Sequence, residues 1–280
     1  MTPDEYCQQK AAASGSSFYY SFLFLSPKRR RAITALYAFC REVDDVVDET
    51  SDPQVAGAKL AWWRAEIANL AAGKAQHPVS RALAPFVEKF DITAARLNEI
   101  IDGMEMDLTQ TRYLDWRALE HYCYHVAGVV GLLAAGIFGY RDERTLDYAK
   151  ELGIAFQLTN IIRDVGEDAR KNRIYLPMED MRRFSVTAAE ILQRRDSPRF
   201  KALMAFQAER AQQQYKNAIQ ALPRVDRRRQ RPGLIMAAIY RALLQEIESD
   251  GFRVLTQRTS LTPLRKFWIA WKTWVVPSRS

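Results

Sequence analysis

Residues 152–168 read LGIAFQLTNIIRDVGED, and the spacing of their polar members decides the fold class. Gln157, Asn160, Asp164 and Asp168 are separated by three, four and four positions, the steps that place side chains on one face of an α-helix. The other faces of that helix are apolar. Burying an amide pair and two carboxylates bare costs several kcal/mol, so each of these groups calls for a ligand or a hydrogen bond.

A second stripe lies upstream. In YAFCREVDDVVD (37–48), steps of four, three and four bring Tyr37, Arg41, Asp44 and Asp48 to one helical face. Alone, that pattern reads equally well as a charged helix end in water. Two oxygen-rich stripes on separate helices suggest instead two faces opposed around hard cations. Carboxylate and amide oxygens without imidazole or thiolate favour Mg²⁺, bound together with water and substrate phosphates. Arg41 and Arg163, interleaved with the acids, suit the phosphate.

Other site chemistries fit less well. None of the three histidines follows a Glu by three residues, as a di-iron bundle requires. His121 and His125 share a helix face but lack HExxH and a third ligand, so a structural role is expected of them. GxGxxG and GxxxxGK[ST] are absent, which excludes those two nucleotide-binding patterns.

Helical periodicity continues outward from the two stripes. It predicts helices over 30–48, 53–70, 85–90, 93–108, 116–138, 143–165, 187–192, 200–222 and 234–247. Pro27, Pro53, Pro78 and Pro177 fall near element starts, where proline is tolerated. No alternating strand series, internal repeat or low-complexity linker interrupts the pattern. One all-α domain spanning residues 1–280 is expected, with 48% hydrophobic residues to build its core.

The three cysteines, Cys7, Cys40 and Cys123, are far apart, which argues against a disulfide framework and fits a reducing compartment. The acidic start Met1-Thr2-Pro3-Asp4-Glu5 does not look like a signal peptide. The apolar run 126–139 is short of the roughly 20 residues that span a bilayer. A cytoplasmic location is expected. Glycines at 128, 131, 136 and 139 within that run either open room for an apolar ligand or let helices pack closely.

The motifs DDVVD (44–48) and NIIRDVGED (160–168), with YAFCREVDD (37–45) and RIYLP (173–177), resemble the squalene/phytoene synthase family. GSSFYYSF (15–22), DGMEMDL (102–108) and YCYHVAGVVG (122–131) extend the likeness, which runs from about Gly15 to Tyr240. Within the family, the N-terminus, RPGLIMAAIYRALL (231–244) and LTPLRKFWIAWKTW (261–274) most resemble bacterial presqualene diphosphate synthases of hopanoid synthesis.

The resemblance implies an isoprenoid-synthase-type helical bundle around a central cavity that joins two farnesyl diphosphates head to head. It implies that Asp44, Asp48, Asn160, Asp164 and Asp168 hold Mg²⁺, and that Ser17, Phe18, Tyr37, Arg41, Gln157, Arg163, Arg173 and Tyr240 contact substrate. Tyr122 matches a tyrosine near the reacting carbons; His125 is given no role. The expected product is presqualene diphosphate, without a requirement for NADPH. Phytoene, dehydrosqualene or NADPH-dependent squalene synthesis are the alternatives, sharing the ionisation machinery. Bound diphosphate or Tyr122 could serve as the base. Arg170, Lys171 and Arg173 follow the second acidic stripe as a flap over the diphosphate or as exposed loop charges.

The net charge of +8 is unevenly placed. Residues 201–280 carry 15 Lys and Arg against 5 Asp and Glu, which leaves residues 1–200 close to neutral. In the tail 261–280, Leu264, Trp268, Trp271 and Val275 form one helical stripe, with Arg265, Lys266 and Lys272 mostly off it. Such a cationic, tryptophan-bearing segment suits an anionic membrane surface; a helix docked on the body is the other reading. Peripheral attachment would also place the chain beside downstream lipid-biosynthesis enzymes. A basic helical chain can instead bind nucleic acid, and KRRR (28–31) and RRR (227–229) are the candidate patches. Neither patch accounts for the two carboxylate stripes, so no nucleic-acid partner is expected.

Overall fold

Pro27, Pro53, Pro78 and Pro198 each stand in the first turn of a helix, where the missing N–H leaves no bond unmade. The computed structural model describes residues 1–13, 21, 22, 24–50 and 52–275. In chain order the helices are α1 (Pro3–Ala13), α2 (Pro27–Glu49), α3 (Pro53–Ala71), α4 (Pro78–Leu83) and α5 (Ala94–Thr109). Next come α6 (Trp116–Cys123), α7 (Val129–Phe138), α8 (Arg144–Arg170), α9 (Met178–Arg183) and α10 (Ala188–Leu192). The last are α11 (Pro198–Ala221), α12 (Arg231–Ser249) and α13 (Pro263–Val275). A single β-bridge, Arg112 to Ile174, is the one β contact among the described residues.

Apolar burial divides the bundle into two cores. One gathers around α8, α11 and α12 and includes Leu152, Tyr215 and Ile239; the other gathers around α2, α3, α5 and α7 and includes Leu36, Trp63 and Leu133. Helix α8 contacts α7, α11 and α12, and so joins the two. Gly131 of the 126–139 run and Gly153 of α8 serve that junction. A Cβ on Gly131 would lie 2.2 Å from the Ala149 carbonyl oxygen, and one on Gly153 would lie 2.3 Å from that of Ala127. Close packing is therefore one purpose of these glycines. Gly131 and Gly153 also line a cavity, so close packing and room for a ligand coincide at Gly131, while Gly128, Gly136 and Gly139 do not line it.

Two expected helices differ in detail. Residues 85–90 form a 3₁₀ turn, Ala84–Phe86, followed by turns rather than a helix. Asp91 ends this piece at φ 51, after too few residues to propagate an α-helix. The run 116–138 is divided by a π-helical turn, Tyr124–Gly128, between α6 and α7. An inserted residue of this kind shifts the phase of the following helix and often marks a functional site. By length and composition Trp116–Phe138 is apolar enough to cross a membrane, although its most hydrophobic positions, such as Leu133 and Ile137, are buried in this fold.

Helices α1, α4 and α9 show no clear periodicity in the sequence. In α1 the buried residues are only Cys7 and Ala11, too small a face to register as a stripe. Helix α8 extends beyond the expected end at 165 to Arg170, which carries its polar stripe through Asp168.

Candidate active site

Helices α2 and α8 turn their two stripes toward one polar cavity. Arg41, Asp44 and Asp48 line it from α2, and Gln157, Asn160, Arg163, Asp164 and Asp168 from α8. Arg173, on the loop after α8, lines it too. Ser17 and Phe18 lie outside the described residues. Tyr37 faces the apolar cavity below. Tyr240 is buried against Phe156 and interacts with Arg163, lining neither cavity.

Cations partner most of the acids. Arg41 bridges Asp44 at 2.6 Å and Asp45 at 2.5 Å. Asp48 receives Lys171 at 3.0 Å and Arg173 at 3.1 Å, so both loop cations approach the first stripe. The Arg163 guanidinium grips Asp164 with two nitrogens, and Arg258 adds a contact at 2.9 Å. Burial favours the neutral acid at Asp164, but these cations outweigh it and hold its pKa below the ordinary value. Asp44 is pushed up to about 6 by burial, with Asp48 and Asp45 adding to the rise and Arg41 opposing it. Asp168 accepts no hydrogen bond or ion pair from any described side chain. Burial, then the charges of Asp164 and Asp107, push it up to about 8.

Asn160 shows what the site lacks. Its Nδ2 donates to Gln157 Oε1 at 3.3 Å, while its buried Oδ1 has no partner among the described residues. An unpaired amide oxygen, an unpaired carboxylate and further carboxylates on the facing helix form an all-oxygen donor set. That set fits a hard divalent cation. Among the described residues, no group of three or more His, Cys, Asp or Glu side chains is gathered to hold an ion by itself. This suits Mg²⁺, which usually takes one or two carboxylates and completes its shell with phosphate and water.

Behind the stripes is a carboxylate that the spacing did not single out. Asp107 accepts hydrogen bonds from Tyr122 Oη at 2.8 Å and Tyr175 Oη at 2.7 Å. The two rings stack with centroids 5.2 Å apart. Burial raises the pKa of Asp107 despite both donors and Arg173, and it raises Tyr122 well above the usual phenol value. Asp107 and Tyr175 sit inside the DGMEMDL and RIYLP segments, but only the fold brings them together. Arg258 also lines the polar cavity; no motif or periodicity in its neighbourhood marks it.

An apolar cavity of about 1220 Å³, its open mouth included, continues beneath the polar one. Arg41, Asp44, Tyr122, Gln157 and Asn160 line both. Below them the wall is built by residues such as Leu36, Met104, Val130, Leu152, Phe156 and Met236.

Helix α13 docks on the body, as one reading of the tail expected, and also leaves an apolar face exposed. Ala270 is buried, and Trp274 stacks on Phe24 at 4.8 Å with the Arg231 guanidinium 5.1 Å from its ring. Leu264 is 83% exposed, Trp268 59% and Val275 51%, while Phe267 and Trp271 complete an outward apolar patch.

Opposed acidic stripes above an apolar cavity, in a bundle of helices, define the all-α isoprenoid-synthase type of fold. The chain belongs to the squalene/phytoene synthase family, whose sequence profile matches residues 11–265. It is similar to a phytoene synthase of Arthrospira platensis, 34% identical over 94% of this chain and 89% of that protein. It is also similar to the 15-cis-phytoene synthase of Synechocystis sp., 32% identical over 95% of this chain and 84% of that one. Against the chloroplastic phytoene synthase of an Oncidium hybrid cultivar it is 32% identical but spans only 65% of the relative's length.

Among solved structures, a dehydrosqualene synthase in complex with a ligand superposes with a TM-score of 0.89. It shares 29% identity, over 97% of this chain and 95% of that one. Squalene synthase HpnC of Alicyclobacillus acidocaldarius superposes with a TM-score of 0.81 at 27% identity, over 89% and 94%.

Proposed function

We propose that this protein joins two farnesyl diphosphates head to head, forming presqualene diphosphate and releasing diphosphate and a proton. One observation carries the reading: the same five residues line a polar cavity suited to diphosphate and an apolar cavity suited to prenyl chains. Asp44, Asp48, Asn160, Asp164 and Asp168 are the side chains that would hold Mg²⁺. Bound there, the metal would supply Lewis acidity toward the negative charge developing on the leaving diphosphate.

The chain's own groups account for the remaining work. Arg41 and Arg163 neutralise and retain the diphosphate. The C1–O bond of the donor breaks, its electron pair leaves with diphosphate, and the apolar wall shields the allylic cation from water. The C2=C3 electrons of the second farnesyl diphosphate then attack the donor C1, forming the C1–C2 bond and placing the positive charge on C3. Loss of a proton from the donor C1 releases the electron pair that closes the cyclopropane onto C3.

Tyr122 is held neutral and donates to Asp107, so it acts as a relay rather than as a phenolate. Its oxygen accepts the C1 proton while its own proton passes to Asp107, whose raised pKa equips it to receive one.

Phytoene formation from two geranylgeranyl diphosphates is the second reading, favoured by the names of the curated relatives. The deciding experiment incubates the protein with either prenyl diphosphate and Mg²⁺, with and without NADPH, and examines the diphosphate and hydrocarbon fractions. Presqualene diphosphate accumulating from farnesyl diphosphate regardless of NADPH is the expected result. Squalene formed only with NADPH, or phytoene from the longer substrate, would replace it.

The exposed face of α13 supports a further part of this reading, attachment to the cytoplasmic side of an anionic membrane. Trp268 and Trp271 present stacked rings 5.2 Å apart, and Arg265 and Lys272 flank them. Such a helix lies in the headgroup region, with tryptophan at the interface and cations on lipid phosphates.

A further inference from the structure

Tyr148 is the α8 residue of the apolar cavity wall farthest from the polar mouth. From Asn160 at its polar mouth, α8 runs back twelve residues to Tyr148, about 18 Å at the rise of an α-helix. Phe138, Ala135, Gln230 and Gly233 line the same end. Gln230 is 1% exposed and donates to the carbonyls of Ala135 at 3.3 Å and Gly139 at 3.0 Å, fastening α12 to the end of α7. Beyond it, Asp226 accepts from the backbone of Arg141 and Asp142, each at 2.9 Å, and closes the bundle.

Tyr148 is unusual among the wall residues. It is 1% exposed, and its hydroxyl has no hydrogen-bond partner among the described residues. A Cβ on Gly233 would lie 2.5 Å from that hydroxyl, so a glycine on α12 is what leaves space for the ring. A buried phenol without a hydrogen-bond partner is destabilising, and among the described residues only the charge of Arg227 acts on this hydroxyl. What the side chain does contribute is bulk at the far end of a cavity.

We propose that Tyr148 determines prenyl chain length: its ring is the stop against which the far end of a fifteen-carbon chain rests, and it excludes a chain one isoprene unit longer. This rests on the prenyl-diphosphate reading above and adds the selection between its two substrates. A smaller residue would extend the cavity along α8 and admit the twenty-carbon chain. Phenylalanine would keep the stop and remove only the unsatisfied hydroxyl.

The test compares the wild-type chain with Tyr148→Ala, Tyr148→Leu and Tyr148→Phe. Binding of the unreactive thiolo-diphosphate analogues of farnesyl and geranylgeranyl chains is measured by calorimetry, and turnover of the two substrates is measured separately with Mg²⁺. Circular dichroism establishes which variants fold, and Tyr148→Leu stands in if Tyr148→Ala does not. The expected result is a gain of tenfold or more in affinity for the longer analogue, relative to the shorter, in the shortened variants. Tyr148→Phe should keep the wild-type preference. A folded Tyr148→Ala or Tyr148→Leu with unchanged preference overturns the proposal, as does a wild-type chain that binds the longer analogue as tightly as the shorter. The expected shift in binding preference without turnover in any chain, wild type included, would instead overturn the catalytic reading and leave the length selection supported.

Discussion

Asp44 and Asp164 carry the sharpest expectation at the scale of single residues. Each lines the polar cavity and belongs to neither apolar core, so an isosteric amide that keeps an oxygen for its arginine should leave the helices folded. Asp44→Asn or Asp164→Asn is expected to reduce Mg²⁺-dependent turnover by a factor of about 100 or more, with unchanged far-UV circular dichroism. Normal turnover in both variants would remove them from the metal site. Tyr122→Phe and Asp107→Asn test the relay in the same way. Each should lower turnover by a factor of about 100 or more. A Tyr122→Phe variant close to wild type would assign the proton to diphosphate. The carboxylate stripes were legible because helical periodicity is a local property of sequence. Asp107 with its two tyrosines, and Arg258 on Asp164, were not, because partners 68 and 94 positions away meet only through the packing of whole helices.

At the scale of elements, the start of α8 is capped by Asp142, whose Oδ1 accepts from the Arg144 backbone N–H at 3.0 Å. Glu143 at its N-cap makes no side-chain hydrogen bond to the helix. From the loop before α12, Asp226 holds that cap in place, accepting from Thr145 Oγ1 and from the backbone N–H groups of Arg141 and Asp142, each at 2.9 Å. Burial favours the neutral acid, but those donors dominate and hold the Asp226 pKa below its ordinary value. A carboxylate with a lowered folded pKa binds fewer protons folded than unfolded. Its stabilisation is therefore present above the unfolded pKa of about 3.9 and disappears as pH falls through the folded value. Asp226→Asn should lower stability at pH 7 by about 1.5–3 kcal/mol, seen as a lower Tm. The gap from wild type should narrow in melts at pH 3. An equal gap at both values would place the effect elsewhere. Neither this remote anchor nor the π-helical turn could be read in advance. The anchor joins distant residues, and the turn changes helical phase without changing the apolar pattern.

For the whole molecule, the excess positive charge lies in the C-terminal part, and so does the exposed tryptophan face of α13. Attachment should therefore need both anionic lipid and the aromatic rings. Trp268→Ala combined with Trp271→Ala is expected to weaken binding to phosphatidylglycerol vesicles about tenfold or more, with little change in Tm because both rings are exposed. Vesicle sedimentation against salt provides the measurement. Unchanged binding would return α13 to a purely structural role. The composition located the charge; only the fold separated the docked side of this helix, at Ala270 and Trp274, from its outward side.

The proposed stop at Tyr148 has a kinetic consequence. With that end stopped, the polar mouth serves as entrance and exit alike, so the diphosphate head of the proposed product must let go before its hydrocarbon can follow. The hydrocarbon then has no favourable place in bulk water and stays until an apolar phase arrives to receive it. The first turnover should run ahead of the rest, giving a burst close to one product per site in rapid-quench experiments. Added vesicles or detergent micelles should raise the slow rate that follows and leave the burst unchanged.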